Sequence, residues 1–289
     1  MSAKTNVHQI FYDEVTRAQL DPGFMPLDNC ANERPDWYEF WVIKNYLERH
    51  TLEPDTWYGF LSPKFRSKTG MDSRVLYSFL DACETSGHEV FMAPAHWHDV
   101  AMFQNPYVQG EFGTHTGIAD LAQQFFKHAG WAVDIRNSVA HSEDFTFCNY
   151  VVAKPAYWEV WLHLARIFFD VAENHPGPLG TDLRSNTLYG VACAAPIKTF
   201  IQERFPYLVV QERQLKSRSP GPGMIASLAA QQGQIDANTL SLIDACNLMK
   251  IFYSQTHRPD YLQAFQTLSR EALNRWVAQA RRQDNPSAS

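Results

Sequence analysis

The stretch Thr56–Gly70, TWYGFLSPKFRSKTG, changes pattern half-way, and the rest of the chain can be organised around that change. Its first six residues are apolar and β-prone, which predicts a strand over Thr56–Leu61. Ser62-Pro63 ends the strand. Three cations, Lys64, Arg66 and Lys68, follow with hydroxyls and Gly70 at a strand-to-helix junction. Such a junction suits a diphosphate, because cations neutralise it and exposed backbone N–H groups give directed bonds. The glycine and Lys-Ser/Thr spacing of a Walker loop is absent.

Working outward, Val7–Tyr12 and Glu89–Ala93 also read as strands, as do Phe147–Ala153 and Tyr207–Gln211. Helical spacing of apolar residues marks 37–49, 73–86, 118–129, 155–173 and 196–203, with Gly87 and Gly130 placed as terminal caps. Residues 174–180 read as a loop. Strand–helix alternation predicts an α/β domain over residues 1–216, a sheet flanked by helices. Ser217–Gly223 (SRSPGPG) reads as a flexible connector, and 224–282 as a helical C-terminal extension with breaks near Gly233 and Pro259. Its stripe from Leu240 to Tyr253 is expected either to pack as a lid or to form a homodimer. The tail beyond Arg282 is expected to fray.

Composition narrows the partners. Hydrophobic residues make up 45% and charged residues 19% of 289, which a packed core needs and a disordered chain lacks. A net charge of −6, with no long basic stripe, argues against nucleic acid. No apolar run approaches the roughly 20 residues that span a bilayer, and the N-terminus has no signal core. Five dispersed cysteines without C-x-x-C spacing fit reduced thiols in a cytoplasmic protein. Aromatic residues reach 13%, a mild pointer to a carbohydrate ligand.

Four further groups carry candidate chemistry. Asp28, Asn29, Asn32, Arg34 and Asp36 form a polar segment where α/β sheets commonly bind ligands; loop bonding and helix capping explain it equally well. Gln104, Asn105, Gln109-Gly110-Glu111 and His115 resemble a hydroxyl-binding loop, with Glu111 available as a general base. His96, His98 and Asp99 are metal-ligand types, but their spacing is awkward for a helix and a surface loop accounts for them more simply. Asn149 is polar within an apolar strand and needs a partner or a cavity. Glu203-Arg204 reads as a structural ion pair. Neither a G-x-S-x-G elbow nor a G-x-G-x-x-G fingerprint occurs.

Taken in order, these segments resemble a group of bacterial glycosyltransferases from polysaccharide-biosynthesis loci. The resemblance rests on Leu27-Asp28-Asn29, then Asn32-x-Arg34-Pro35-Asp36-Trp37-x-Glu39-Phe40, then Tyr58-Gly59-Phe60-x-Ser62-Pro63-Lys64-Phe65-x-x-Lys68-Thr69-Gly70. It continues through Asn105-Pro106, Gln109-Gly110-Glu111, Cys148-Asn149-Tyr150-x-Val152 and Glu203-Arg204, covering roughly residues 7–211. It implies a GT-A-like fold and transfer of a sugar from a nucleotide-sugar donor to a glycan acceptor. Many such enzymes hold a divalent metal with an Asp-x-Asp pair, and no such triplet occurs here. Either the enzyme needs no metal, or His96, His98 and Asp99 substitute, or catalysis is lost.

On this reading Glu111, Asp28 and Asp36 are the candidate bases. Asn29, Asn32, Arg34, Ser62, Lys64, Arg66, Lys68, Gln104, Asn105, His115 and Asn149 are candidate donor contacts. The cations should share one concavity with Asp28 and Glu111. The alternatives are a non-catalytic sugar- or protein-binding module on the same fold, and a metal-dependent hydrolase centred on His96 and His98.

Overall fold

The computed structural model describes residues 3–94, 96–112, 114–189, 193–221 and 236–284. Six strands form one mixed sheet. They are β1 (Lys4–Phe11), β2 (Met25–Asp28), β3 (Thr56–Leu61), β4 (Val90–Met92), β5 (Val151–Ala153) and, numbered after the hairpin below, β8 (Ser217–Arg218), in the order β2-β1-β3-β5-β4-β8. β5 runs antiparallel to both neighbours and every other pairing is parallel. A separate antiparallel hairpin joins β6 (Asn186–Tyr189) and β7 (Cys193–Pro196).

All six residues of β3 are buried, and their alternation divides the core in two. Trp57 and Leu61 join Val7, Phe91 and Val152 beneath Leu76, Leu80 and Cys83. Those three lie on a helix, Ser73–Ser86, whose N-terminus is capped by Asp72 and whose C-terminus is closed by Gly87 at φ 69°. Tyr58 and Phe60 face the other way, onto the larger core with Phe40, Trp158, Trp161 and Phe168. Gly59 lets β5 close in, since a Cβ there would meet Val152 Cγ2 at 2.8 Å.

Five segments depart from the sequence expectation. Tyr207–Gln211, read as a strand, lies in the helix Phe205–Arg213, with Pro206 in its first turn. A short continuous apolar run fits a buried helix as well as a strand. Residues 97–102 and 106–111 form short helices rather than loops, and a helix over 178–184 begins within the 174–180 segment expected to be a loop. Ser217–Arg218, expected in the flexible connector, pairs with Val90–Phe91 as the sheet's last strand, because backbone pairing needs no apolar side chain. The rest of the connector, from 222, and the expected helix to 235 lie outside the described residues, as do 285–289.

The C-terminal helices Ala237–Thr256 and Pro259–Asp284 pack on each other and on the helix Trp97–Met102. Ile243, Cys246, Asn247 and Lys250 supply the buried face. Trp97 donates to Asp244 at 2.7 Å, and the Lys250 ammonium reaches the Val100 and Phe103 carbonyls at 2.6 and 2.7 Å. Part of the expected stripe is therefore buried within the chain, while Leu248 and Phe252 remain exposed. No helix among the described residues is long and apolar enough to cross a membrane.

Candidate functional site

β1 lies between β2 and β3, so the chain leaves β1 to one side and crosses back to the other. Ligand crevices in open α/β sheets form where such connections diverge, beyond the carboxyl ends of the strands. A cleft of about 1080 Å³ opens at that place. Tyr12 enters it from the end of β1, and Ser62, Pro63, Lys64, Arg66, Ser67 and Lys68 from the end of β3. Cys148, Asn149 and Tyr150 enter from the start of the reversed strand β5, and Thr199, Phe200 and Glu203 from the helix Ile197–Gln202 and its C-terminal cap.

The cationic lining is built locally. Phe65 is buried edge-on against Tyr150, 5.3 Å between ring centres, and pins the one-turn helix Phe65–Thr69. Gly70 closes that helix at φ 69° with its N–H on the Arg66 carbonyl. Anchoring Phe65 leaves Lys64, Arg66 and Lys68 exposed at the cleft. Among the described residues none of these three forms an ion pair with a carboxylate. Lys68 Nζ lies 5.9 Å from the Tyr150 ring centre, and the Tyr150 hydroxyl meets Ser62 Oγ at 2.9 Å.

Two carboxylates line the same cleft. Glu39 accepts a 2.9 Å hydrogen bond from the Tyr12 hydroxyl. Glu203 is half-buried, and desolvation pushes its carboxyl up to about 7. Arg204 and Lys68 act against that shift, while the Glu39 charge reinforces it. The neighbouring Arg204 is buried and donates to the Pro106 and Phe200 carbonyls, each at 2.7 Å, and to Gln109 Oε1 at 2.9 Å. The ion pair expected between Glu203 and Arg204 does not form: the guanidinium bonds neutral oxygens instead, leaving the carboxylate to face the cleft.

That arrangement also explains Gln109-Gly110-Glu111. A Cβ on Gly110 would stand 2.7 Å from Arg204 Nη2, so the glycine makes room for the guanidinium that Gln109 receives. Glu111 pairs with Arg136 at 3.2 Å and does not line the cleft. Asn105 caps the helix Pro106–Glu111 through the Tyr107 and Val108 N–H groups and donates to the Ile135 and Ser138 carbonyls. Gln104 donates to the Arg136 and Ser138 carbonyls. His115 is buried against Phe200, 3.7 Å between ring centres, where desolvation pulls its imidazole down to about 4. Backbone carbonyls thus engage the side-chain amides of Gln104 and Asn105, Arg136 engages Glu111, and packing encloses His115.

Of the first polar segment only Asn32, at φ 40°, lines the cleft. Asp28 ends β2 and accepts from the Cys30 N–H at 2.8 Å. Asn29 donates its backbone N–H to Phe11 at 2.9 Å. Arg34 pairs with Asp36 at 3.1 Å and Glu173 at 2.8 Å, and Lys198 bridges Asp36 at 2.5 Å and Glu173 at 3.2 Å. The candidate bases Asp28, Asp36 and Glu111 are therefore not cleft residues. The cations share their concavity with Glu39 and Glu203 instead.

His96, His98 and Asp99 make no metal centre. His98 stacks on Trp276 at 5.2 Å with its imidazole pulled down to about 4 by burial, and burial raises the Asp99 carboxyl. Among the described residues no three His, Cys, Asp or Glu side chains are grouped to hold a metal ion. Of the expected donor contacts, Asn32, Ser62, Lys64, Arg66, Lys68 and Asn149 come together, and Asn149 donates to Gln202 at 3.1 Å. Sequence reasoning gave no site role to Tyr12, Glu39, Tyr150, Thr199 or Glu203. Glu39, Tyr150 and Glu203 stood inside the quoted motifs, a usable signal; Tyr12 and Thr199 had none. No protein-family model matches the chain, and neither a curated protein nor a solved structure is significantly similar to it.

Proposed function

We propose that the cleft binds a nucleoside-diphosphate sugar on a GT-A-like scaffold and transfers the sugar to a glycan acceptor. The observation that carries this reading is one cavity lined by three cations, none in an ion pair among the described residues, together with a carboxylate shifted to about 7. A diphosphate leaving group develops negative charge as its bond to the sugar breaks, and Lys64, Arg66 and Lys68 stand where they would neutralise it. Glu203 is matched in acidity to a general base working near neutral pH.

In a single displacement, Glu203 takes the proton of the acceptor hydroxyl as its oxygen bonds to the anomeric carbon. The bond from that carbon to the phosphate oxygen breaks, and its electron pair leaves with the nucleoside diphosphate. Tyr12, half-buried at the cleft, offers an aromatic ring to a base or a sugar. The mostly parallel sheet, with its cleft at the diverging connections, supports the GT-A-like assignment.

Titration calorimetry and thermal unfolding with a panel of nucleoside diphosphates and their sugars test the reading. Binding heat and a raised Tm are expected for at least one nucleotide. Silence across the whole panel would sink it.

A further inference from the structure

The cleft carries opposite charges on different elements, and their placement bears on which sugar it accepts. Its cations come from residues 64–68, following β3, whereas its carboxylates come from Glu39 and from Glu203 at the end of the helix Ile197–Gln202. Glu39 and Glu203 line the same cleft; the Glu39 charge raises the Glu203 carboxyl, and the Lys68 charge opposes that shift. Thr199 belongs to the Glu203 lining, is only 6% exposed, and its hydroxyl has no hydrogen-bond partner among the described residues. Asn149, joined to Gln202 of the same helix at 3.1 Å, adds a neutral amide. Hydroxyls, amides and carboxylates are the groups that hold sugar hydroxyls.

From this division, and resting on the nucleotide-sugar reading above, we infer that the transferred sugar is neutral or amino-substituted and that Glu39 and Glu203 exclude uronates. With the diphosphate held by Lys64, Arg66 and Lys68, the attached ring extends toward the carboxylates. A ring hydroxyl or ammonium group donates to them, whereas a ring carboxylate meets like charge with no cation left to pair it. Like-charge juxtaposition is a general device for rejecting a wrong ligand.

The test compares, at pH 8, the affinities of one nucleoside diphosphate, its hexose and its hexuronate, for each nucleotide that binds. The hexuronate is expected to bind at least about tenfold more weakly than the hexose, the scale of one uncompensated charge contact near a protein surface. Glu203→Gln should narrow that gap while leaving the affinity for the bare diphosphate within about twofold, and Glu39→Gln should act in the same direction if the first variant fails to fold. Equal or tighter binding of the hexuronate, with the diphosphate still bound, overturns the inference and leaves the nucleotide reading standing. A gap that neither substitution narrows also overturns it. Failure of every nucleoside diphosphate to bind removes the nucleotide reading, and the inference with it.

Discussion

Two groups of cations contrast the cleft with the packing beside it. Arg34 and Lys198 share Asp36 and Glu173, and Lys198 is buried over the Trp37 ring at 4.0 Å. This network ties the segment that leads into Glu39 to the helix that leads into Glu203. Lys64, Arg66 and Lys68 are exposed at the cleft, and among the described residues none of them forms an ion pair with a carboxylate. The first group has its charge balanced within the chain; the second has no such ion pair among the described residues, and on the proposed reading its charge serves the diphosphate. A cation paired within the chain has little left to offer an anion, so pairing separates positioning residues from binding residues better than residue type does.

The largest effect is expected for Glu203→Gln, which should lower turnover by about 10²–10⁴-fold with nucleotide affinity retained. In the wild type, kcat/KM should rise with pH through about 7, because the base acts only once deprotonated and its carboxyl is raised to that value. A rate that is flat from pH 5 to 9 would remove Glu203 from the chemistry.

Next, Lys198→Ala should cost about 2–3 kcal/mol in urea unfolding. Losing one member of a buried ion pair costs more than this, but Asp36 and Glu173 keep some solvent and the figure is discounted accordingly. Lys64→Ala and Lys68→Ala should each weaken nucleotide binding about tenfold, the worth of one charge-assisted contact, with stability changed by less than about 0.5 kcal/mol. Inverted results, with Lys198 controlling affinity and Lys68 controlling stability, would undo the division drawn here. The smallest effect is expected for Glu111→Gln, at most about 1 kcal/mol of stability from an exposed pair with Arg136 and no change in turnover.

Legibility followed the range of the forces involved. Thr56–Leu61 and Ser73–Ser86 were readable to the residue, because apolar period, cap and terminal glycine lie within a few positions of one another. The cationic segment was readable as well, since Phe65, three cations and Gly70 occupy one turn. Asn105, Gln109 and Glu111 looked like ligand groups because their residue types are those of a sugar site. Their partners, Ser138, Arg204 and Arg136, lie 25 to 95 positions away, and spacing carries no record of such contacts.

By itself, then, the sequence determined the α/β character, the segments closest to the central strand and the presence of a local cationic turn. These depend on propensity, periodicity and capping, which act along the chain. Only the tertiary structure decided which carboxylates meet those cations. Glu203 enters the cleft because Arg204 beside it is drawn into the space left by Gly110, and Asp36 is withheld because Lys198 reaches it from 162 positions away. Charge pairing across a folded chain depends on distance in space and on the loss of water, and neither is written in the order of the residues.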